Sequence, residues 1–384
     1  MDKSQFPPAP YFDPQELRET LSALFHAHGT AAEARPAVVE RLKLLVKAAR
    51  GTARLQLEAD GNGRRCATGL ARFQDELVRL LYDYTVWHVY RATNPSDAER
   101  MAVVATGGYG RELLAPGSDI DLLFLLPYKQ TPWGESVAEY MLYLLWDLGF
   151  KVGHATRTVD QCLKLARDDT TIRTSLLDMW LIHGDANLYA ELERRFRNEV
   201  IRGSERAFID AKMAERSERH RRAGESRYRV EPNIKDGKGG LRDLHTLHWL
   251  SKYLLGHEVG PETVAKGIFT KEEAATFRKC ENFLWTVRCF LHFYTGRSEE
   301  LVSFEVQPML AEKLGYRDKG GLRAVERFMK HYFLIAKDVG DLTTILCSAL
   351  EIQQMKSSPV LESMLSPISW MTRRQIREIG RAHV

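Results

Sequence analysis

"GGYGRELLAPGSDIDLLFLLP" (residues 107–127) decides how the rest of the chain reads. Two adjacent glycines, Gly107 and Gly108, open the stretch. Further on, Asp119 and Asp121 bracket Ile120, and an apolar run follows. Residues two apart on a strand point to the same side, so a strand over 120–126 projects both carboxylates together from its N-terminal end. Carboxylates held that close repel unless they share a cation. A Mg²⁺ ion held by one or two carboxylates plus substrate phosphates meets that need. Just upstream, "AVVAT" (102–106) reads as another strand, and "RELL" (111–114) as a short helix. The glycines then form a strand-to-helix turn whose amides are open to a triphosphate. The order predicts a nucleoside triphosphate on Gly107 and Gly108 and metal on Asp119 and Asp121. The implied reaction is in-line attack on the α-phosphate with loss of pyrophosphate. Other readings fit less well. An isolated pair of acids can simply make an Asx turn. Gly108 and Gly110 give GxG, but Leu113 stands where a dinucleotide fingerprint needs its third glycine, and no Walker lysine follows.

Outward from this stretch the periodicity turns helical. Upstream, "DPQE" (13–16) starts a helix, with Asp13 as cap, Pro14 at the first helical position and Glu16 as the capping-box acid. Helices are expected over 14–28, 36–50 and 65–92, and "NPSD" (94–97) breaks the chain and begins a short helix. Downstream, a helix over 135–149 closes at Gly149, a third strand covers 150–158, and Thr158 with Gln161 makes a capping box. Everything beyond about 160 reads as helix: 159–168, 170–183, 186–200, 205–223, 241–255, 271–295 and 321–352. One long loop, 224–240, interrupts it. "HGD" (183–185) reads as a helix end closed by Gly184, not as a metal site. The fold class expected is α+β, a small α/β core between helical flanks. The segments are 1–94, helical; 95–168, the core; 169–352, all-helical; and 353–384, a tail.

Composition excludes several alternatives. The 384 residues are 44% hydrophobic and 28% charged, with 55 basic against 51 acidic residues and a net charge of +4. That balance gives no bulk attraction for nucleic acid. Five scattered cysteines without a CxxC fit free thiols in a reducing compartment. The N-terminus carries no apolar signal core, and no apolar run approaches the ~20 residues of a membrane span, so a cytoplasmic protein is expected. The closing "EIGRAHV" can be encoded by a sequencing-adapter sequence, so the last residues are expected to be foreign and the chain truncated.

The glycine turn and acid pair resemble the nucleotidyltransferase superfamily that shares the polymerase-beta catalytic fold. "GGYGRELLAPGSDIDLLFL", "VGHATRT", "RYRVEPNIKDGKGGLRDLHTLHWL" and "FLWTVRCFLHFYTGR" together resemble the bacterial PII-protein uridylyltransferase/uridylyl-removing family, from about residue 12 to about 352. The resemblance implies transfer of UMP from UTP, with Mg²⁺, to a tyrosine of the PII signalling protein. Gly107, Gly108, Asp119 and Asp121 match the family's glycine and aspartate pairs, and Ser118, directly before the acids, is a further nucleotide-binding candidate. Two departures stand out. The superfamily usually draws a third carboxylate from the next strand, where this chain has Gly153 and His154. Asp160, just beyond, reads equally as helix decoration. The family also continues into a His-Asp phosphohydrolase and ligand-sensing domains, and this chain has no adjacent His-Asp pair. Neither uridylyl removal nor glutamine sensing is therefore expected. An adenylyl-transferring sibling and a non-catalytic nucleotide-binding module remain alternatives.

Other motifs weigh less. "IKDGKGGLRDLHTLHWL" (234–250) offers Lys235, Lys238 and Arg242 as anion contacts, with three glycines lending backbone freedom. His245 and His248 share a helix face but lack a third ligand, so a core or surface pair is expected. The basic stretch 212–229 has interspersed glutamates and reads as a solvated helix. Arg227 and Arg229 there, and Arg157 on the third strand, could also reach phosphate. "FLWTVRCFLHFYTGR" reads as core packing, with Arg288, His292 and Arg297 as lesser candidates.

Overall fold

The computed structural model describes residues 11–92, 96–224, 226–265 and 268–356. The adapter-like tail lies outside them. The chain divides into two compact units. The first is Met1–Gly203 with Arg288–Glu299; the second is Ser204–Val287 with the chain from Glu300 onward.

The first unit opens with three helices, α1 (Pro14–His28), α2 (Ala31–Asp60) and α3 (Gly63–Tyr84). Asp13 caps α1 by accepting from the amides of Gln15 and Glu16, and Pro14 takes the first position, where no amide is needed. The strands that follow are β1 (Ala102–Ala105), β2 (Ile120–Leu126), β3 (Val152–Thr158) and β4 (Trp180–Gly184). Between them come α4 (Gly107–Gly110), α5 (Pro132–Asp147), α6 (Val159–Asp168) and α7 (Thr170–Leu177), and α8 (Ala186–Phe196) follows the sheet. The order is β3-β2-β1-β4. β1 runs antiparallel to both neighbours, and β3 runs parallel to β2. Leu122 through Leu126 are all buried, as a strand covered on both faces requires. The Thr158–Gln161 capping box forms at the start of α6.

Two expectations fail here. Residues 180–183 are not helix but the start of β4, paired with β1. Gly184 ends that strand with φ +90°, and an added Cβ there would collide with the Met101 carbonyl. "HGD" is therefore a strand end, and Asp185 caps α8 through the amides of Asn187 and Leu188. The short helix after β1 is also misplaced. It lies on Gly107–Gly110 themselves, and "RELL" is turn and loop.

The second unit is helical: α9 (Glu205–Arg222), α10 (Leu241–Leu255), α11 (Pro261–Ala265), most of α12 (Lys271–Thr295), α13 (Gln307–Lys313) and α14 (Ala324–Lys356). His245 and His248 are buried in α10, as a structural pair should be. Among the described residues, no helix is long and apolar enough to cross a membrane.

Candidate active site

The register gathers the predicted residues at one end of the sheet. Ala105 ends β1 opposite Leu122 and Trp180, so Gly107 and Gly108 emerge where β2 begins. Asp119 is exposed, just ahead of β2, while Asp121 is half-buried and pairs with Gly153 on β3.

Two glycines shape the Asp121 carboxylate. A Cβ built on Gly107 would come within 3.2 Å of Asp121 Oδ2, and one built on Gly153 would overlap Oδ1. A side chain at either position would displace the acid. Gly107 also needs its freedom for a φ of +58°. A side chain at 153, on the strand where a third carboxylate was expected, would compete with the Asp121 carboxylate for the same space. Among the described residues, no group of three or more His, Cys, Asp or Glu could hold a metal. Asp160 instead pairs with Arg195 at 2.8 Å. Two hard oxygen donors, one of them open to solvent, still fit Mg²⁺, which keeps several waters and takes its other ligands from phosphates.

The glycine turn leaves its amides available. Gly110 N–H donates to the Thr106 carbonyl, closing α4, but among the described residues nothing accepts from the amides of Gly107, Gly108 or Tyr109. Three residues that sequence reasoning missed hold the turn. The buried Tyr109 hydroxyl donates to Asp75 Oδ1 at 2.8 Å, and Trp180 Nε1 donates to Asp75 Oδ2 at 3.2 Å. Burial pushes the Asp75 carboxyl up to about 6, against the opposing pull of these donors and Arg79. Arg111 forms a 2.6 Å ion pair with Asp178, whose side chain is fully buried. An added Cβ on Gly110 would strike the Asp178 carbonyl, so the chain at 178 lies directly on the turn. The Arg111 Nη2 atom is 3.7 Å from where a Gly108 Cβ would sit, placing a cation beside the glycine pair. No local signal tied Asp75 or Asp178 to residues 34 and 67 positions away.

The other candidates scatter. Ser118 accepts from the Ala115 amide at 3.2 Å, closing the turn ahead of Asp119. Gly117 N–H donates to His292 Nδ1 at 3.1 Å, which puts that imidazole's proton on Nε2. His292 is thus a structural acceptor under the acid-pair loop. Arg157 lies opposite Leu125, four residues and about 13 Å along β3 from Gly153.

Lys235, Lys238 and Arg242 belong to the second unit. Their loop is closed on itself. The amides of Lys235 and Asp236 donate to Asn233 Oδ1, that of Gly237 to the Asn233 carbonyl, and that of Gly239 to Asp243 Oδ2. Gly240, Leu241 and Arg242 donate to carbonyls of Gly237, Ile234 and Lys235. The amides of all three glycines are therefore engaged within the loop and its helix. Arg242 lies over Trp249, 5.6 Å from the ring centre, and 3.4 Å from Asp236.

The basic helix α9 is only partly a solvated face. Glu218 does pair with Arg221 and Arg222 at the surface. Arg216, Arg219 and His220, however, converge on Asp243, which has no exposure at all. Burial pulls the Asp243 carboxyl up. The His220 hydrogen bond and the Arg216, His220 and Arg219 charges outweigh it and leave the group at about 2. Arg229 donates to the Ala223 carbonyl at the end of α9, and Arg227 lies against Gly340.

Comparison with known proteins identifies relatives of the chain. Residues 207–347 match the family model described as GlnD PII-uridylyltransferase. A bifunctional uridylyltransferase/uridylyl-removing enzyme of Bradyrhizobium diazoefficiens is 55% identical over 356 residues, 92% of this chain and 38% of its own length. Proteins of the same description from Nitrobacter hamburgensis and Rhodopseudomonas palustris are 54% and 52% identical, over 92% and 95% of this chain. The chain spans less than two-fifths of the length of these relatives. Sharing more than half of its aligned residues with them over nine-tenths of its length, the chain belongs to the PII-uridylyltransferase family.

Proposed function

We propose that this chain carries out Mg²⁺-dependent transfer of UMP from UTP to a tyrosine hydroxyl of the PII nitrogen-signalling protein, in a reducing cytoplasm that suits its buried free thiols. The carrying observation is the Asp121 carboxylate wedged between Gly107 and Gly153, at the sheet end where three amides lie open. Those amides bind phosphate oxygens, and Arg111 adds positive potential beside Gly108. Asp119 and Asp121 hold the metal, which when bound offsets phosphate charge and favours both the attacking and the leaving oxygen. The tyrosine oxygen bonds to the α-phosphorus as the bond to the α–β bridging oxygen breaks. The hydroxyl proton is lost to water, and pyrophosphate leaves with the electron pair. Lys235, Lys238 and Arg242 are proposed as side-chain contacts to the nucleotide.

The test is intact-mass measurement of PII protein after incubation with the chain, Mg²⁺ and UTP. The expected result is a gain of one UMP that disappears with Asp121→Asn. A gain with ATP in place of UTP would reassign the base, and no gain with either would overturn the transfer.

A further inference from the structure

We propose that Ser175 is a further nucleotide-binding residue, its hydroxyl donating to the triphosphate beside the glycine turn; this rests on the transferase reading above. Ser175 sits near the end of α7. Its Oγ is 3.7 Å from the position of a Gly107 Cβ, a point that also lies 3.2 Å from Asp121 Oδ2. A half-buried hydroxyl thus faces the junction of glycine turn and acid pair. Its neighbour shows the usual alternative. Thr174 Oγ1 donates back to the Thr170 carbonyl at 2.6 Å, as helical hydroxyls do. Among the described residues Ser175 Oγ has no hydrogen-bond partner, so it is left for a ligand. Serine is also a poorer helix former than alanine, so helix stability does not call for it there.

The chain just beyond the hydroxyl is anchored to the turn. Three residues on, Asp178 grips Arg111 at 2.6 Å and lays its carbonyl against Gly110. Trp180 is tied through Asp75 to Tyr109. The chain at 178–180 is therefore pinned to the turn, three residues beyond Ser175. A short side chain carried next to an anchored segment has only its own χ1 to order when it meets a phosphate oxygen.

The experiment is steady-state kinetics of the whole chain with PII protein, Mg²⁺ and varied UTP, alongside calorimetric UTP binding and thermal melting. Ser175→Ala is expected to raise KM and Kd for UTP about tenfold, the range for a hydrogen bond to a charged group. Its kcat should stay within about threefold and its melting midpoint should not move. Ser175→Cys, which keeps the volume but donates weakly, should behave like Ser175→Ala, and Ser175→Thr should restore tight binding. Unchanged UTP affinity in both Ser175→Ala and Ser175→Cys overturns the inference, as does a fall in kcat alone. A wild-type chain that binds UTP but modifies no acceptor sinks the transfer reading only, and Kd of Ser175→Ala then decides the inference. A wild type that binds no UTP sinks both.

Discussion

Two glycine-rich turns, 107–110 and 237–240, are each pinned by a buried aspartate, and they are built on opposite principles. The first leaves its leading amides open and is held from outside, by Tyr109 and Trp180 on Asp75. The second closes its three glycine amides internally, and Asp243 is gripped by Arg216, Arg219 and His220. Two neutral donors and the charge of Arg79 do not offset the desolvation of Asp75, whose carboxyl rises to about 6. Cationic donors do offset that of Asp243, which falls to about 2. An open turn suits direct backbone contact with an anion, whereas a closed one presents side chains from a rigid frame.

The comparison breaks most visibly at Asp243. Asp243→Asn leaves two guanidinium groups without their buried counter-charge, so about 3–5 kcal/mol of stability should be lost in chemical denaturation. A loss under 1 kcal/mol would mean that the basic cluster does not hold the loop. Next comes Asp121→Asn, expected to lower UMP transfer at least ~100-fold with an unchanged melting midpoint, since it removes charge at the reacting phosphate without touching either anchor. Asp75→Asn is a smaller change. The amide has one acceptor where the carboxylate offers two, so either Tyr109 or Trp180 loses its partner at a cost of ~1–3 kcal/mol.

The two anchors should also respond to pH in opposite senses. Asp75 has a folded pKa above its ordinary 3.8. Its contribution is therefore fully present below pH 3.8 and is lost as pH rises through about 6. Asp243 has a folded pKa below 3.8. Its contribution is present above pH 3.8 and is lost as pH falls through about 2. Melting between pH 7 and 4 should show a gain toward acid in the wild type that Asp75→Asn lacks; equal profiles would rule out the buried charge. The smallest effect is expected from Lys238→Ala, a few-fold rise in KM for UTP that shrinks with added salt. A tenfold or larger effect would put the closed loop, rather than the open turn, at the centre of phosphate binding.

Much of the first turn was legible in the sequence. The short apolar run at 120–126 located β2 at its observed boundaries, and the Asp119/Asp121 spacing placed the acids at its start. The Thr158–Gln161 box marked α6 for the same local reason. β4 was not legible. Trp180–Gly184 is five residues long, continues an apolar helical pattern, and becomes a strand only by pairing with β1, some 80 residues earlier. The role of 212–222 was half visible. Charge alternation indicated a helix, but which cations turn inward depends on where Asp243 lies.

The sequence by itself determined the short-range features: strand and helix periods, caps, the glycine turn and the paired acids, all set by residues within a few positions of each other. Only the tertiary structure decided which carboxylates serve as anchors, how closely Gly153 lies against Asp121, and that Ser175 faces the turn. Those outcomes depend on burial and on contacts between distant segments, and both desolvation and close packing arise only once the chain has folded.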